Sequence, residues 1–157
     1  MRRKDRELTE LGEILRVVER CKVCRLAMAD AAGLYLVPMN FGYAYVGGRL
    51  ELYFHSAREG RKVAALRAAP QVCFEMDCDA EVYAQNAEIP CTYSCRFLSV
   101  IGNGTAEFLE EPAQKAAALE AILRHQTGRS FAFSEAMTQN VAVFRVVAHE
   151  FSGKRHE

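Results

Sequence analysis

Leu52-Tyr53-Phe54-His55-Ser56-Ala57-Arg58-Glu59-Gly60-Arg61-Lys62 joins an apolar strand pattern directly to a helix start, with a histidine at the join and three basic residues just beyond it. Ser56 and Glu59 have the S-x-x-E spacing of a capping box, which predicts Ser56 as the helix N-cap. The first turn of a helix carries N–H groups without intrahelical partners, at the positive end of the helix dipole. With Arg58, Arg61 and Lys62 beside it, such a turn suits a phosphate. The same residues would also make a well-capped surface helix whose cations are simply solvated.

Working outward, Phe41 to Val46 and Leu50 to Phe54 read as strands on either side of Gly47-Gly48, a two-residue hairpin signal. The helix is expected from about Arg58 to Ala68, ending before Pro70, with a further strand from Gln71 to Met76. Upstream, Thr9 is placed to cap a helix whose apolar positions Leu11, Ile14, Leu15 and Val18 follow helical spacing. Val23 to Ala29 and Leu34 to Met39 read as strands across a turn at Asp30-Ala31-Ala32-Gly33. Downstream, Asp77 to Thr92 is polar and reads as a long loop, and Tyr93 to Leu109 as a strand bent near Gly102 and Gly104. Pro112 suits the first turn of a helix with Ala116, Leu119, Ile122 and Leu123 on one face and Gly128 after its end. Ser130 to Asn140 is ambiguous, Val141 to Phe151 reads as a last strand, and Gly153 to Glu157 as a polar tail. With no linker or repeat, residues 1–157 form a single domain of about six or seven antiparallel strands with peripheral helices, favouring a barrel or sandwich.

Composition excludes several classes. Half of the 157 residues are hydrophobic, enough for one full core, and 20 basic residues balance 20 acidic ones. A net charge of zero offers no broad attraction to nucleic acid or an anionic membrane, so any anion site is local. The charged start Met1-Arg2-Arg3-Lys4-Asp5-Arg6 is unlike a signal peptide, no run reaches the roughly 18 apolar residues of a membrane span, and a cytoplasmic location is expected. In a cytosolic chain of this size the six cysteines are not expected to form a disulfide framework. Cys21, Cys24, Cys91 and Cys95 are spaced so that they could supply four thiolates to zinc, yet no knuckle glycine follows either pair, and packing in the core is the favoured reading.

Three ordered blocks carry a family resemblance: Val37-Pro38-Met39-Asn40-Phe41-Gly42-Tyr43, then Leu52 through Ala57 with Gly60-Arg61-Lys62, then Val72-Cys73-Phe74-Glu75. Ser99-Val100-Ile101-Gly102 with Gly104 and Ala106, and the closing Gly153-Lys154, also fit. Across essentially its whole length the chain resembles the nitroimidazole-resistance (Nim-like) branch of the pyridoxamine 5′-phosphate oxidase-related flavoproteins. The resemblance implies an FMN-binding split β-barrel, a homodimer, and two FMN sites at the subunit interface. It implies that Val37, Pro38, Met39, Asn40 and Phe41 run past the isoalloxazine ring, and that Ser56, Arg61 and Lys62 hold the phosphate. It also implies Ser99 and Ile101 facing the partner's flavin, and His55 as a catalytic residue beside the flavin, bonding it or delivering a proton.

The residues themselves leave alternatives beside these roles. His55 could be a strand-end histidine bonding backbone, and Asn40 turn chemistry. Tyr43 and Tyr45 could wall a pocket or merely pack, Arg96 reads as an edge residue rather than a phosphate ligand, and His125 suits a helix C-terminus. The implied activity is FMN-dependent reduction of a small organic acceptor, nitroaromatic in the family association, by a donor for which no Rossmann fingerprint is present. A non-catalytic flavin- or haem-binding module is the second reading, and a cysteine–zinc structural protein the third. The absence of tryptophan, and of the Trp-Arg-Leu end of true pyridoxamine phosphate oxidases, argues against a vitamin B6 oxidase.

Overall fold

A computed structural model describes residues 3–156. The hairpin forms where the glycine pair predicts it. β4 (Gly42–Val46) and β5 (Arg49–Ser56) pair across Gly47 and Gly48, both at positive φ. Leu50, Leu52 and Phe54 alternate inward along β5 and are fully buried, the period-2 pattern of a strand with one face on a core.

The remaining strands are β1 (Glu7–Leu8), β2 (Val23–Asp30), β3 (Gly33–Asn40), β6 (Gln71–Ala84), β7 (Tyr93–Phe108) and β8 (Ala142–His156). They form one antiparallel sheet in the order β3-β2-β6-β7-β8-β5-β4, with β1 added on β8. The two ends of that path, β3 and β4, are joined in the chain by the single residue Phe41. The sheet therefore curls back on itself and leaves an unpaired seam at Phe41, which is the split of a split β-barrel.

Four helices attach to this barrel: α1 (Leu11–Arg20), α2 (Arg61–Ala68), α3 (Pro112–Thr127) and α4 (Glu135–Thr138). α1 buries Ile14, Val17 and Val18, at helical i, i+3, i+4 spacing. Its N-cap is Glu10 without a side-chain bond, so the Thr9 cap does not form. α3 starts at Pro112 as predicted and ends in a left-handed Gly128. It buries Ala118, Leu119, Ala121 and Ile122. In the core the Phe54 and Phe144 rings stack at 5.3 Å, and Phe41 lies 6.3 Å from Phe54.

Two expectations fail outside the core. The loop predicted over Asp77 to Thr92 shrinks to residues 85–92, because β6 continues to Ala84 and pairs with β7 as far as Tyr93. A bulge between Cys78 and Glu81, with Asp79 at φ 57, interrupts the alternation and disguises the strand. The polar tail is strand as well: residues 153–156 of β8 pair with β7. The ambiguous Ser130 to Asn140 stretch holds only the short α4.

All six cysteines are free. Cys21 and Cys24 are buried, and burial pushes the Cys24 thiol up to about 12. Among the described residues no three His, Cys, Asp or Glu side chains form a group able to hold a metal, so the zinc reading has no site there. No helix among them is long and apolar enough to cross a membrane.

Candidate functional site

The strand-to-helix turn is present, but the helix starts later than its capping box predicts. Ser56 still belongs to β5, and its Oγ donates to the Ala57 carbonyl at 2.9 Å instead of capping a helix. The N-cap is Gly60, at φ 131 and ψ 170, a backbone shape that glycine reaches without steric cost. The local chain bends through residues 57–60 before the first helical hydrogen bond, from Ala64 N to the Gly60 carbonyl at 3.0 Å. Arg61 and Lys62 are therefore the first two residues of α2, and no side chain caps that end. Their backbone N–H groups and the dipole point toward whatever lies before Gly60. Arg58, outside the helix, instead lines a small cavity with Arg67 and Lys115.

His55 is the last outward-facing side chain of β5, opposite Val143 on β8. Its pKa is held below the usual histidine value, first by partial desolvation and then by the nearby Lys62 ammonium. Desolvation also lowers the Lys62 pKa. His55 is thus a neutral imidazole at pH 7, facing a cation at the mouth of α2.

Arg61 is fixed by Asp30, which was not among the expected site residues. Its Nε and Nη2 donate to the Asp30 carboxylate at 2.6 and 3.0 Å, and its guanidinium lies 4.3 Å over the Tyr35 ring. Asp30 also accepts the Ala32 N–H at 2.8 Å, so one carboxylate shapes the β2–β3 turn and anchors the start of α2. Arg61 in turn holds the Asp30 carboxyl below the usual range. The one sequence signal for this role is the aspartate opening the Asp30-Ala31-Ala32-Gly33 turn.

The β3 residues divide by face. Val37 is half-buried, while Met39 and Phe41 are core residues at 8% and 0% exposure, so these two side chains are withdrawn from any ligand. Pro38 faces outward. β3 pairs only with β2, which leaves the backbone groups along its other edge open. Asn40 is already engaged: its Nδ2 donates to the Lys22 carbonyl at 3.0 Å and to Gln126 Oε1 at 3.2 Å. The amide thus ties β3 to the end of α3 instead of making the turn contact its neighbour Pro38 suggested.

Ser99 and Ile101 lie on the same outer face as Pro38, Ile101 in the row Ile101–Glu75–Arg25–Pro38. Within one chain they do not meet His55. Ile101 pairs with Ser152 and His55 with Val143, about 30 Å apart along β8 at about 3.3 Å per residue. This outer face carries exposed apolar side chains, with Leu34 at 90%, Leu36 at 59% and Ile101 itself at 51%.

The seam at Phe41 is closed by α3. His125 Nδ1 lies 2.8 Å from the Phe41 carbonyl and Nε2 2.9 Å from the Glu19 carbonyl, while Gln126 Nε2 donates to the same Phe41 oxygen at 2.8 Å. Tyr43 meets the His125 ring edge-on at 5.2 Å and lines a cavity of about 620 Å³ with Arg124 and His125. Tyr45 remains at the surface. Arg96 pairs with Glu81 at 3.2 Å and lies over Tyr83, away from His55, as an edge residue would.

A curled antiparallel sheet with a split seam, carrying a basic helix start after a histidine-ended strand, defines a split-barrel fold. The chain belongs to the pyridoxamine 5′-phosphate oxidase family, whose family model matches residues 10–155. Among solved structures it is similar to a candidate 5-nitroimidazole antibiotic resistance protein of Bacteroides thetaiotaomicron, with 31% identity and a TM-score of 0.80 over 95% of this chain and 86% of that one. Two more distant structures share the fold. A flavocytochrome of Azotobacter vinelandii has 20% identity and a TM-score of 0.77, over 100% of this chain and 72% of that one. A FAD- and heme-binding protein of Mycobacterium smegmatis has 18% identity and a TM-score of 0.78, over 97% of this chain and 74% of that one. No curated protein matches the chain.

Proposed function

We propose that this protein binds FMN and acts as an oxidoreductase toward a small organic acceptor, with the flavin at a homodimer interface. The observation that carries the reading is the uncapped start of α2. Two cations, Arg61 and Lys62, occupy its first two positions, and one of them is held in place by Asp30. Bare N–H groups, the helix dipole and two side-chain cations together fit a phosphate monoester. The open edge of β3 offers backbone donors and acceptors to the polar rim of a flat ring, a task that does not need the Met39 or Phe41 side chains.

The flavin supplies the electron transfer when bound. The chain's own contribution is to anchor the phosphate through Arg61 and Lys62 and to present the neutral ring of His55, which can accept a proton or hydrogen-bond the cofactor. Homodimer formation is supported by the exposed apolar side chains Leu34 and Leu36 of β3 and Ile101 of β7, on either side of the Arg25–Glu75 ion pair, which a partner subunit would cover. The flavocytochrome and the FAD- and heme-binding protein that share the fold agree with a flavin site.

The test is a titration of the purified protein with FMN, following flavin fluorescence, and then the addition of a chemical or nicotinamide reductant with a nitroaromatic acceptor. Saturable quenching and donor-dependent acceptor reduction are expected. Absence of binding ends the proposal, and bound flavin that no donor reduces would favour the non-catalytic module.

A further inference from the structure

The cavity of about 620 Å³ beside the seam lies between the end of α1, the start of β4 and the end of α3. It is remote from the start of α2. Lys22, just before β2, lines it, whereas Asp30, which holds Arg61, is the last residue of that strand. The two are on the order of 25 Å apart at about 3.3 Å per residue. The apolar wall of the cavity is the half-buried Tyr43 ring with Ala44 and Ala121.

Two opposite charges line this cavity without meeting. The Glu19 carboxylate and the Arg124 guanidinium make no ion pair and no hydrogen bond among the described residues, so they stand more than 4.0 Å apart. Elsewhere Arg20, Arg25, Arg61, Arg67, Arg96 and Arg145 are each paired with a carboxylate. The Tyr43 hydroxyl also has no hydrogen bond among the described residues. Burial is the larger cause of its raised pKa, which Glu19 raises further and Arg124 lowers, so the hydroxyl is within the field of both charges. The other polar groups of the cavity are engaged. Lys22 Nζ donates to the His125 carbonyl at 2.6 Å, both His125 ring nitrogens lie on carbonyls, and Thr127 Oγ1 donates to the Leu123 carbonyl at 2.7 Å.

We propose that this cavity binds a zwitterionic α-amino acid with an uncharged side chain. Its carboxylate would lie on Arg124 and the Tyr43 hydroxyl, its ammonium on Glu19, and its side chain against the Tyr43 ring and the two alanines. Such a ligand answers both charges at once with charge-assisted hydrogen bonds, and its side chain covers apolar surface otherwise open to water. A simple anion leaves Glu19 unanswered, and a simple cation leaves Arg124. The proposal is independent of flavin binding.

L-Phenylalanine is the probe, followed by two-dimensional amide NMR on the protein as purified. Phenethylamine, which lacks the carboxylate, and 3-phenylpropionate, which lacks the ammonium, are the paired analogues. Phenylalanine should shift the amides of Tyr43, Ala44 and Ala121 saturably, and each analogue should bind about tenfold or more weakly, the loss of a charge-assisted hydrogen bond. Arg124→Gln should weaken phenylalanine and 3-phenylpropionate by a similar factor and leave phenethylamine unchanged. Glu19→Gln should weaken phenylalanine and phenethylamine and leave 3-phenylpropionate unchanged. Absence of phenylalanine shifts at the cavity overturns the proposal, as do shifts centred on Lys62. An analogue that binds as tightly as phenylalanine overturns it too, and so does a variant that weakens all three ligands equally or none. Amide dispersion reports the folding of each variant, and the comparison of the three ligands on the parent protein carries the test if a variant does not fold.

Discussion

Arg61 and Asp30 are 31 residues apart in the chain and meet through two hydrogen bonds, so the first residue of α2 is fastened to the turn between β2 and β3. The pair uses Nε and Nη2 of the guanidinium, while the Tyr35 ring lies beneath it. A long cationic side chain normally loses conformational entropy when it captures an anion. Here the structure has already restrained it, which would lower the entropy lost if it bound the proposed phosphate.

The phosphate role predicts a split between two ligands. Arg61→Ala with Lys62→Ala should weaken FMN roughly a hundredfold, about tenfold for each charge-assisted contact removed. Riboflavin, which lacks the phosphate, should bind the variant and the parent alike. Parallel fluorescence titrations measure both, and equal losses for the two ligands would remove the phosphate assignment.

His55 carries a pH signature. Its folded pKa lies below the unfolded value of about 6.5, with burial the larger cause and Lys62 the smaller. Below that value the unfolded chain takes up a proton that the folded chain resists, so the contribution of His55 to stability is present above about pH 6.5. It is lost as pH falls toward the folded value. NMR titration of the His55 ring should find the depressed value, and Lys62→Met should restore only part of the shift. A bound phosphate dianion should raise it.

Phe54 lies directly beneath this site, fully buried and stacked on Phe144. Phe54→Ala should cost about 3–5 kcal/mol in urea unfolding, the usual range for emptying an aromatic site in a close-packed core. A loss under about 1 kcal/mol would mean that the barrel collapses around the gap.

Gly42 opens β4 where α3 crosses it. A Cβ at this position would stand 2.5 Å from the Ala121 carbonyl carbon and from the Ile122 nitrogen, both backbone atoms that cannot rotate away. Gly42→Ala should therefore destabilise by about 3 kcal/mol, the upper end for overpacking, and loosen α3 in hydrogen exchange. Normal protection in α3 would contradict that close contact.

Much of the barrel is legible in the chain, because its signals are local. The Gly47-Gly48 turn, the alternation of Leu50, Leu52 and Phe54, the proline that opens α3 and the Gly128 that closes it each act within a few residues. What misleads is local chemistry overridden from a distance. Ser56 and Glu59 have the capping-box spacing, but β5 keeps Ser56 in its pairing with Ala142, and the helix waits for Gly60. Residues 77–84 and 153–156 look irregular because a bulge and polar side chains hide strands that only their partners define. In the site, the order of His55, Arg61 and Lys62 can be read from sequence. The Asp30 anchor and the engagement of Asn40 by Lys22 and Gln126 cannot, since they join segments tens of residues apart.

The open edge of β3 is also a hazard that the chain has to contain. Alternate residues of this eight-residue strand turn their backbone groups away from β2, and together they form a template on which a foreign or misfolded strand could grow. Pro38 interrupts that template, since a proline has no N–H to offer and breaks the ladder midway along the edge. Pro38 thus limits strand addition at this edge, which lets the strand stay open without becoming adhesive.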